Sequence, residues 1–482
     1  MDFDFVGSQK IKIYSGFLFV LTVMFLPLSF KIFFPAIGTV IIFPAEIMIG
    51  ILALMFVYDL IFKKGFAIGH LSFLKQPITI MILLYLTFNA ASGAFSTMHL
   101  VSLKAVIVKT SYIVVFYFFM YNILKQNLSH YTELMKLYGF SIMLVIIYSL
   151  LIQSKVGFNR YGSGYACHPF YNDHTIFAAA ILFILPVFIA FNAFPKSLEL
   201  SIGNRILVFA GFCLLALGFY FSFCRAAWVS LFASATLSLL IIIGFRFRGL
   251  MILFFLSLTA LFLFFGPLLN KLKENKVDST VTNAGLFEHF YSITNITSDV
   301  SNKERLNRWD CSIKMFKERP VLGFGPGTYQ FQYLPFQNSE NLTYISRQIP
   351  LRPGFGSFYW HSNAVGLLQD KDYTHFQGKG GTAHSEYFLE LAEGGLPSML
   401  LLIGLFFAGL FYSLRTLTKT KDKKTKIIVV IAISGLTTYF VHGVFNNFLD
   451  DCKLAFLFWS SLSLIAAADL KTKINSQSEA EA

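Results

Sequence analysis

RILVFAGFCLLALGFYFSFCRAAWVSLFASATLSLLIIIGF, residues 205–245, is the stretch whose reading decides the architecture. About 20 apolar residues cross a bilayer, so this run is too long for one helix. Its only internal charge is Arg225. A guanidinium in hydrocarbon is costly unless it stands at a turn or faces protein. The run therefore reads as two spans that meet near Cys224 and Arg225. Carried outward, the same criterion predicts an all-α polytopic protein with twelve transmembrane helices: 13–30, 40–62, 77–95, 104–124, 133–152, 174–194, 205–223, 226–245, 249–268, 394–414, 427–446 and 453–468.

Composition agrees. The 482 residues are 55% apolar and 13% charged, with a mean hydropathy of +0.62. Soluble domains carry about 25% charge, so an ordinary soluble enzyme is excluded. Phe occurs 57 times, which suits lipid-facing helices. The formal net charge of +13 would direct attention to nucleic acid in a soluble protein. Here the cations lie in short runs between apolar stretches, as membrane topology requires. Membrane lipids, not nucleic acid, are the expected surroundings. The five cysteines show no C-x-x-C spacing and give neither a zinc site nor a disulfide framework. The N-terminal apolar run is long and followed at once by others, so it is expected to be a span and not a cleaved signal.

Lys and Arg in alternate short loops number eighteen on one side, dominated by 63–64 and 415–426. The other side has six: Lys31, Lys104, Lys155, Arg160, Arg225 and Lys453. This asymmetry predicts cytoplasmic termini, as does an even helix count. The chain then divides into helices 1–9 (1–268), an extracytoplasmic loop (269–393), helices 10–12 (394–468) and a cytoplasmic tail (469–482), whose end NSQSEAEA (475–482) is expected to be disordered. Structureless loops longer than about 15 residues are uncommon and usually functional. The 269–393 loop is therefore read as a folded, largely helical cap carrying site residues.

Candidate chemistry gathers at the outer interface. Arg225 is either a snorkelling helix-end arginine or a group placed for a phosphate or diphosphate, which its planar fork suits. In ERLNRWDCSIKMFKERPVLGFGPGTY, Arg305 and Arg308 share a helix face, and GFGPG (323–327) follows as a turn. That turn lacks a P-loop lysine, so a structural role is favoured. In GGTAHSEYFLELAEGGLPSMLL, Thr382 is expected to cap a helix bearing His384, Tyr387 and Leu391 on one face, with Glu386 and Glu390 as an i, i+4 pair. Gly394 and Gly395 should bend it. Histidine exchanges a proton near neutral pH, which makes His384 a candidate base. The corner VHGVFNNFLDDCK brings His442, Asn446, Asn447 and Asp450 together. It lacks a paired histidine, so it reads as support for the site and not as a metal centre. RYGSGYACHPFYNDHT (160–175) forms a polar approach to the sixth span. Lys109, one turn inside the fourth, either snorkels outward or neutralises an anionic head group.

Three of these pieces resemble the O-antigen ligase and O-antigen polymerase superfamily of bacterial inner-membrane glycan enzymes. FCRAAW is similar to the family's Ser-Arg-Gly/Ala element, with Cys224 in place of Ser. ERLNRW…RPVLGFGPGTY resembles Arg-x-x-x-Trp…Pro-x-x-Gly-x-Gly and puts the family arginine at Arg305. AHSEYFLELAEGG resembles Ala-His-Asn-x-Tyr-x-x-x-x-x-Glu-x-Gly, with His384 as the histidine and Ser385 in place of Asn. The resemblance implies a GT-C-type membrane glycosyltransferase in the bacterial inner membrane that uses no cofactor and no metal. Its donor would be a glycan on undecaprenyl diphosphate, and its acceptor a sugar hydroxyl of lipid A-core or of another glycan. His384, Arg225 and Arg305 would be catalytic, with Arg308, Lys109 and Tyr387 binding diphosphate or substrate.

Two alternatives stand beside ligation: a polymerase of the same superfamily, and a twelve-span transporter or flippase. Transporters often show related halves, which this chain lacks. The orientation is testable directly. Asn341→Cys should react with a membrane-impermeant thiol reagent in intact spheroplasts, above the background of the parent protein; labelling only after lysis would reverse the topology.

Overall fold

The computed structural model describes residues 9–34, 39–62, 71–274, 295, 299–337 and 381–481. Among them, ten helices are long and apolar enough to cross a membrane: Ala45–Phe62, Pro77–Ala94, His99–Leu124, Ser129–Val156, His174–Ala193, Ile202–Tyr220, Arg225–Ile242, Glu386–Lys419, Lys423–His442 and Cys452–Gln477. Two shorter apolar helices, Tyr14–Phe25 and Phe247–Leu263, accompany them. The chain is mostly helical, and it is a multi-pass membrane protein. Its exposed surface says the same. On Phe247–Leu263, residues from Ile252 to Leu263 are largely open and Leu250 alone is buried. Continuous apolar faces of this kind require hydrocarbon as solvent.

His174–Ala193, Lys423–His442 and the C-terminal helix Cys452–Glu481 form the middle of the bundle and bury most of their side chains. Arg225–Ile242 packs on Lys423–His442, and Pro77–Ala94 packs on Glu386–Lys419. Small residues permit the close approaches: a Cβ on Gly435 would stand 2.6 Å from the Phe183 ring. The division at Arg225 is present. Phe223 takes a φ of +50°, and the following helix starts at Arg225.

Four expectations are corrected. The chain is not all-α: Phe30–Phe34 and Thr39–Phe43 form an antiparallel hairpin, with Phe30 opposite Phe43 and Ile32 opposite Ile41. Aromatic and β-branched residues favour strands, and Pro27 and Pro44 flank the pair. The expected span 13–30 accordingly shifts to Gln9–Phe25, and 40–62 shortens to Ala45–Phe62. The NSQSEAEA end is not irregular; its helix-forming Ala, Glu and Gln continue the helix to Glu481. The cap is Ser385 and not Thr382: its Oγ accepts the Phe388 N–H, and the helix opens at Glu386. His384 therefore precedes the helix, with a left-handed φ of +50°. Parts of the expected cap, 275–294, 296–298 and 338–380, lie outside the described residues.

The described pieces of the loop share a small core of their own. Cys311, Met315, Phe324, Tyr329 and Tyr333 pack with Ala383, Leu389 and Ala392. The helix Val300–Glu318 lies against Glu386–Lys419. GFGPG then docks on the same helix, where Gly395 (φ +72°) kinks it. Phe324 N–H donates to the Ala392 carbonyl at 3.0 Å, Gly325 N–H to the Glu393 carbonyl at 2.9 Å, and Leu396 N–H to the Pro320 carbonyl at 2.9 Å. Two further amides meet a carboxylate: Gly327 N–H (2.7 Å) and Tyr329 N–H (2.9 Å) donate to Glu393. A turn expected to be structural is so engaged.

At Gly323 (φ +61°) and Gly395 a Cβ would fall 2.4 Å from backbone atoms of Glu393 and Val321, respectively. A left-handed backbone costs an L-residue about 1–2 kcal/mol, before the overlap is counted. Gly323→Ala and Gly395→Ala should each lower the melting temperature in detergent by several degrees. Alanine at Gly203, where a Cβ meets open space, should leave it unchanged.

Candidate active site

Arg225 is the first residue of its helix. A cation there opposes the helix dipole, whose N-terminus is positive. Asp299 compensates with a bidentate pair: Nη1 donates to Oδ2 at 3.0 Å and Nη2 to Oδ1 at 3.1 Å. Asp299 also caps Val300–Glu318, accepting the Asn302 N–H at 3.0 Å. One carboxylate thus fixes the loop helix to the membrane helix and aligns both arginines.

Arg305 lies about a turn and a half along that helix. Its Nε donates to the Phe445 carbonyl at 3.2 Å and its Nη1 to Ser301 Oγ at 2.7 Å. Burial and the nearby Arg225 guanidinium push Arg305 below its ordinary pKa. The fold holds two cations near each other, with Asp299 as the anion that pairs with Arg225.

His384 is tied to the same helix. Trp309 Nε1 donates to the His384 carbonyl at 3.2 Å, and the Trp309 ring stacks on Phe388. Below it, Glu386 N–H and Ser385 Oγ both donate to the Gly443 carbonyl. Burial, then Arg305, then Arg308 push the His384 imidazole down to about 4. The ring is neutral at pH 7 and can accept a proton. The left-handed backbone at a non-glycine residue is strain of the sort found at functional positions.

Three predicted binding residues have polar atoms engaged inside the protein, although Arg308 Nη1 has no hydrogen-bond partner among the described residues. Arg308 is buried: Nε donates to Glu304 at 2.7 Å, and the guanidinium stacks 3.9 Å from the Tyr333 ring. It presses on Gly381, where a Cβ would fall 1.7 Å from Nη1. Lys109 does not snorkel outward. Its ammonium donates to Glu390 (2.8 Å), Tyr85 (3.0 Å) and Asn89 (3.2 Å) inside the bundle. Tyr387 donates its hydroxyl to the Phe440 carbonyl at 2.6 Å.

The corner after Lys423–His442 supports the site through Glu386, whose carboxylate accepts from Tyr439 Oη (2.6 Å) and Phe448 N–H (2.9 Å). His442 and Asn446 are buried there, Asn447 is half-buried and Asp450 exposed. Among the described residues, no three His, Cys, Asp or Glu side chains group as metal ligands. Asp173, paired with His174 at 2.9 Å, brings the 160–175 segment to the same place, and its charge reaches both His384 and Arg305. The sequence reading missed Asp299 and Glu393 as partners. Asp299 precedes a helix as a capping residue does, and Glu393 occupies the glutamate of the third motif.

The fold and site define a membrane enzyme-like bundle whose basic, half-buried site is built where a loop folds back over the helix ends. Residues 210–349 match the family model described as O-antigen ligase, a segment that includes Arg225, Arg305 and the glycine-rich turn. The match supports a likeness to the O-antigen ligase superfamily, whose members are membrane glycosyltransferase-like enzymes. No curated protein sequence matches the chain significantly.

The Lys109–Glu390 pair yields a stability test. Removing one partner of a buried pair costs about 3–5 kcal/mol, because the other charge is left unpaired. Lys109→Met should therefore destabilise the protein strongly in a detergent melt. Lys109→Met with Glu390→Gln should recover part of the loss. Equal melting temperatures for the single and double variants would show that the pair is not coupled.

Proposed function

We propose that the protein transfers a glycan from undecaprenyl diphosphate to a sugar hydroxyl, as an O-antigen ligase does, on the outer face of the bacterial inner membrane. Both termini are then cytoplasmic. The observation that carries this reading is the pair of neighbouring guanidinium groups, Arg225 and Arg305, beside a neutral imidazole, His384. A diphosphate leaving group needs cations, and the Arg305 fork, with Arg225 held near it by Asp299, supplies them without a metal. His384 takes the proton of the acceptor hydroxyl. The freed oxygen attacks the anomeric carbon, the bond from that carbon to the phosphate oxygen breaks, and the polyprenyl diphosphate departs against the two arginines. The acceptor is lipid A-core, and the lipid-linked bond supplies the energy.

Donor binding also tunes the base. Arg305 both depresses His384 and faces the diphosphate, so its neutralisation makes the imidazole more basic once the donor is in place.

The test uses purified protein, lipid-linked donor and core acceptor in EDTA. His384→Ala should reduce transfer by about 10²–10⁴-fold, the usual contribution of a general base, and leave donor binding largely intact. Arg225→Lys and Arg305→Lys keep charge but lose the fork and should slow transfer about tenfold or more. For the unaltered protein, the acid limb of kcat/KM for donor should fall near pH 4, and that of kcat at higher pH. Near-normal transfer by His384→Ala would refute the base role. A deletion strain showing bare core with accumulated lipid-linked polymer supports ligation; core carrying a single repeat supports a polymerase instead.

A further inference from the structure

His442 ends its membrane helix almost fully buried, at 1% exposure, with Asn446 at 4%. Both ring nitrogens of His442 and the amide nitrogen of Asn446 lack a hydrogen-bond partner among the described residues. A buried polar group left unpaired costs about 1–3 kcal/mol, and three such atoms within five residues are not incidental. Their backbone is firm: Phe445 and Asn446 N–H both donate to the His442 carbonyl, at 2.9 and 3.1 Å. The same corner receives Arg305 on the Phe445 carbonyl, and the charges nearest to His442 are Arg305, Asp173 and His174.

We infer that His442 and Asn446 form a subsite that reads the hydroxyl groups of the sugar attached directly to the lipid diphosphate. The inference rests on the glycan-transfer reading and adds a specificity site to it. The chemistry selects the ligand. A neutral imidazole offers one donor and one acceptor, and a carboxamide nitrogen offers two donors. Sugar hydroxyls donate and accept at once and satisfy both; a phosphate accepts only and would leave the imidazole acceptor facing an anion. A metal is not matched either, because the nearby Asp173 carboxylate is engaged by His174 at 2.9 Å and by the Thr175 N–H at 2.8 Å. Position selects the donor over the acceptor: Arg305 rests on this corner, and the sugar bonded to the diphosphate is the one that must lie beside it.

The experiment compares binding of a short polyprenyl diphosphate with binding of the same lipid carrying N-acetylglucosamine, using the full chain in detergent. The unaltered protein should bind the sugar-bearing lipid about tenfold more tightly. In His442→Phe and Asn446→Leu that preference should fall to near one, with affinity for the bare lipid within about twofold. The melting temperature should not drop, since an apolar side chain replaces an unpaired polar one; a structural histidine would instead lower it. Should the variants fail to fold, deoxy analogues of the sugar on the unaltered protein read the same contacts, and one or two hydroxyl positions should account for the preference. An unchanged preference in the variants, or equal loss at every hydroxyl, overturns the subsite. If the unaltered protein binds both lipids equally, the subsite falls and the transfer reading stands. If it binds neither, both fall.

Discussion

The Arg225–Asp299 pair joins a membrane helix to the loop helix above it, and the site hangs from that joint. Its origin lies in two orphaned charges. Arg225 starts a helix, where the dipole repels a cation, and Asp299 starts another, where the dipole attracts an anion. Pairing them bidentately satisfies both and leaves little rotational freedom. Arg305, on the helix that Asp299 caps, is carried to Arg225 as a consequence, and Trp309 on the same helix then reaches the His384 carbonyl. Three sequence-distant residues share one place because one carboxylate fixes the helix between them.

A second carboxylate, Glu393, fixes the glycine-rich turn that follows that helix. Backbone amides of a glycine-rich turn surround it much as such turns surround phosphate. Here the anion is supplied by the protein. The second and third motifs are thus two halves of one interlock, with Gly323, Gly325 and Gly395 at the contacts where backbone meets backbone or a buried side chain. Glu390 and Glu386, one turn apart, serve separate neighbours, Lys109 with Tyr85 on one side and Tyr439 with Phe448 on the other. In a medium without water every such charge must find its partner inside the protein, which explains why so many polar side chains around the site point to one another.

The membrane character and the break at Arg225 were legible in the sequence because hydrocarbon imposes a length and forbids a charge, and both conditions are local. Motif spacing brought out Arg225, Arg305 and His384 for the same reason: each sits in a short element whose pattern can be read in isolation. The hairpin at Phe30–Phe43 was less visible, since an apolar run says nothing about pairing partners. Tertiary structure alone decided which polar groups are spent and which remain available. Lys109 meets Glu390 across 281 residues, and Arg225 meets Asp299 across 74. Neither distance leaves a periodic trace. His384 stands off its helix because Ser385, tied to Gly443, takes the cap. Burial and charge pairing depend on which helices become neighbours, and that is settled only when the whole chain has packed.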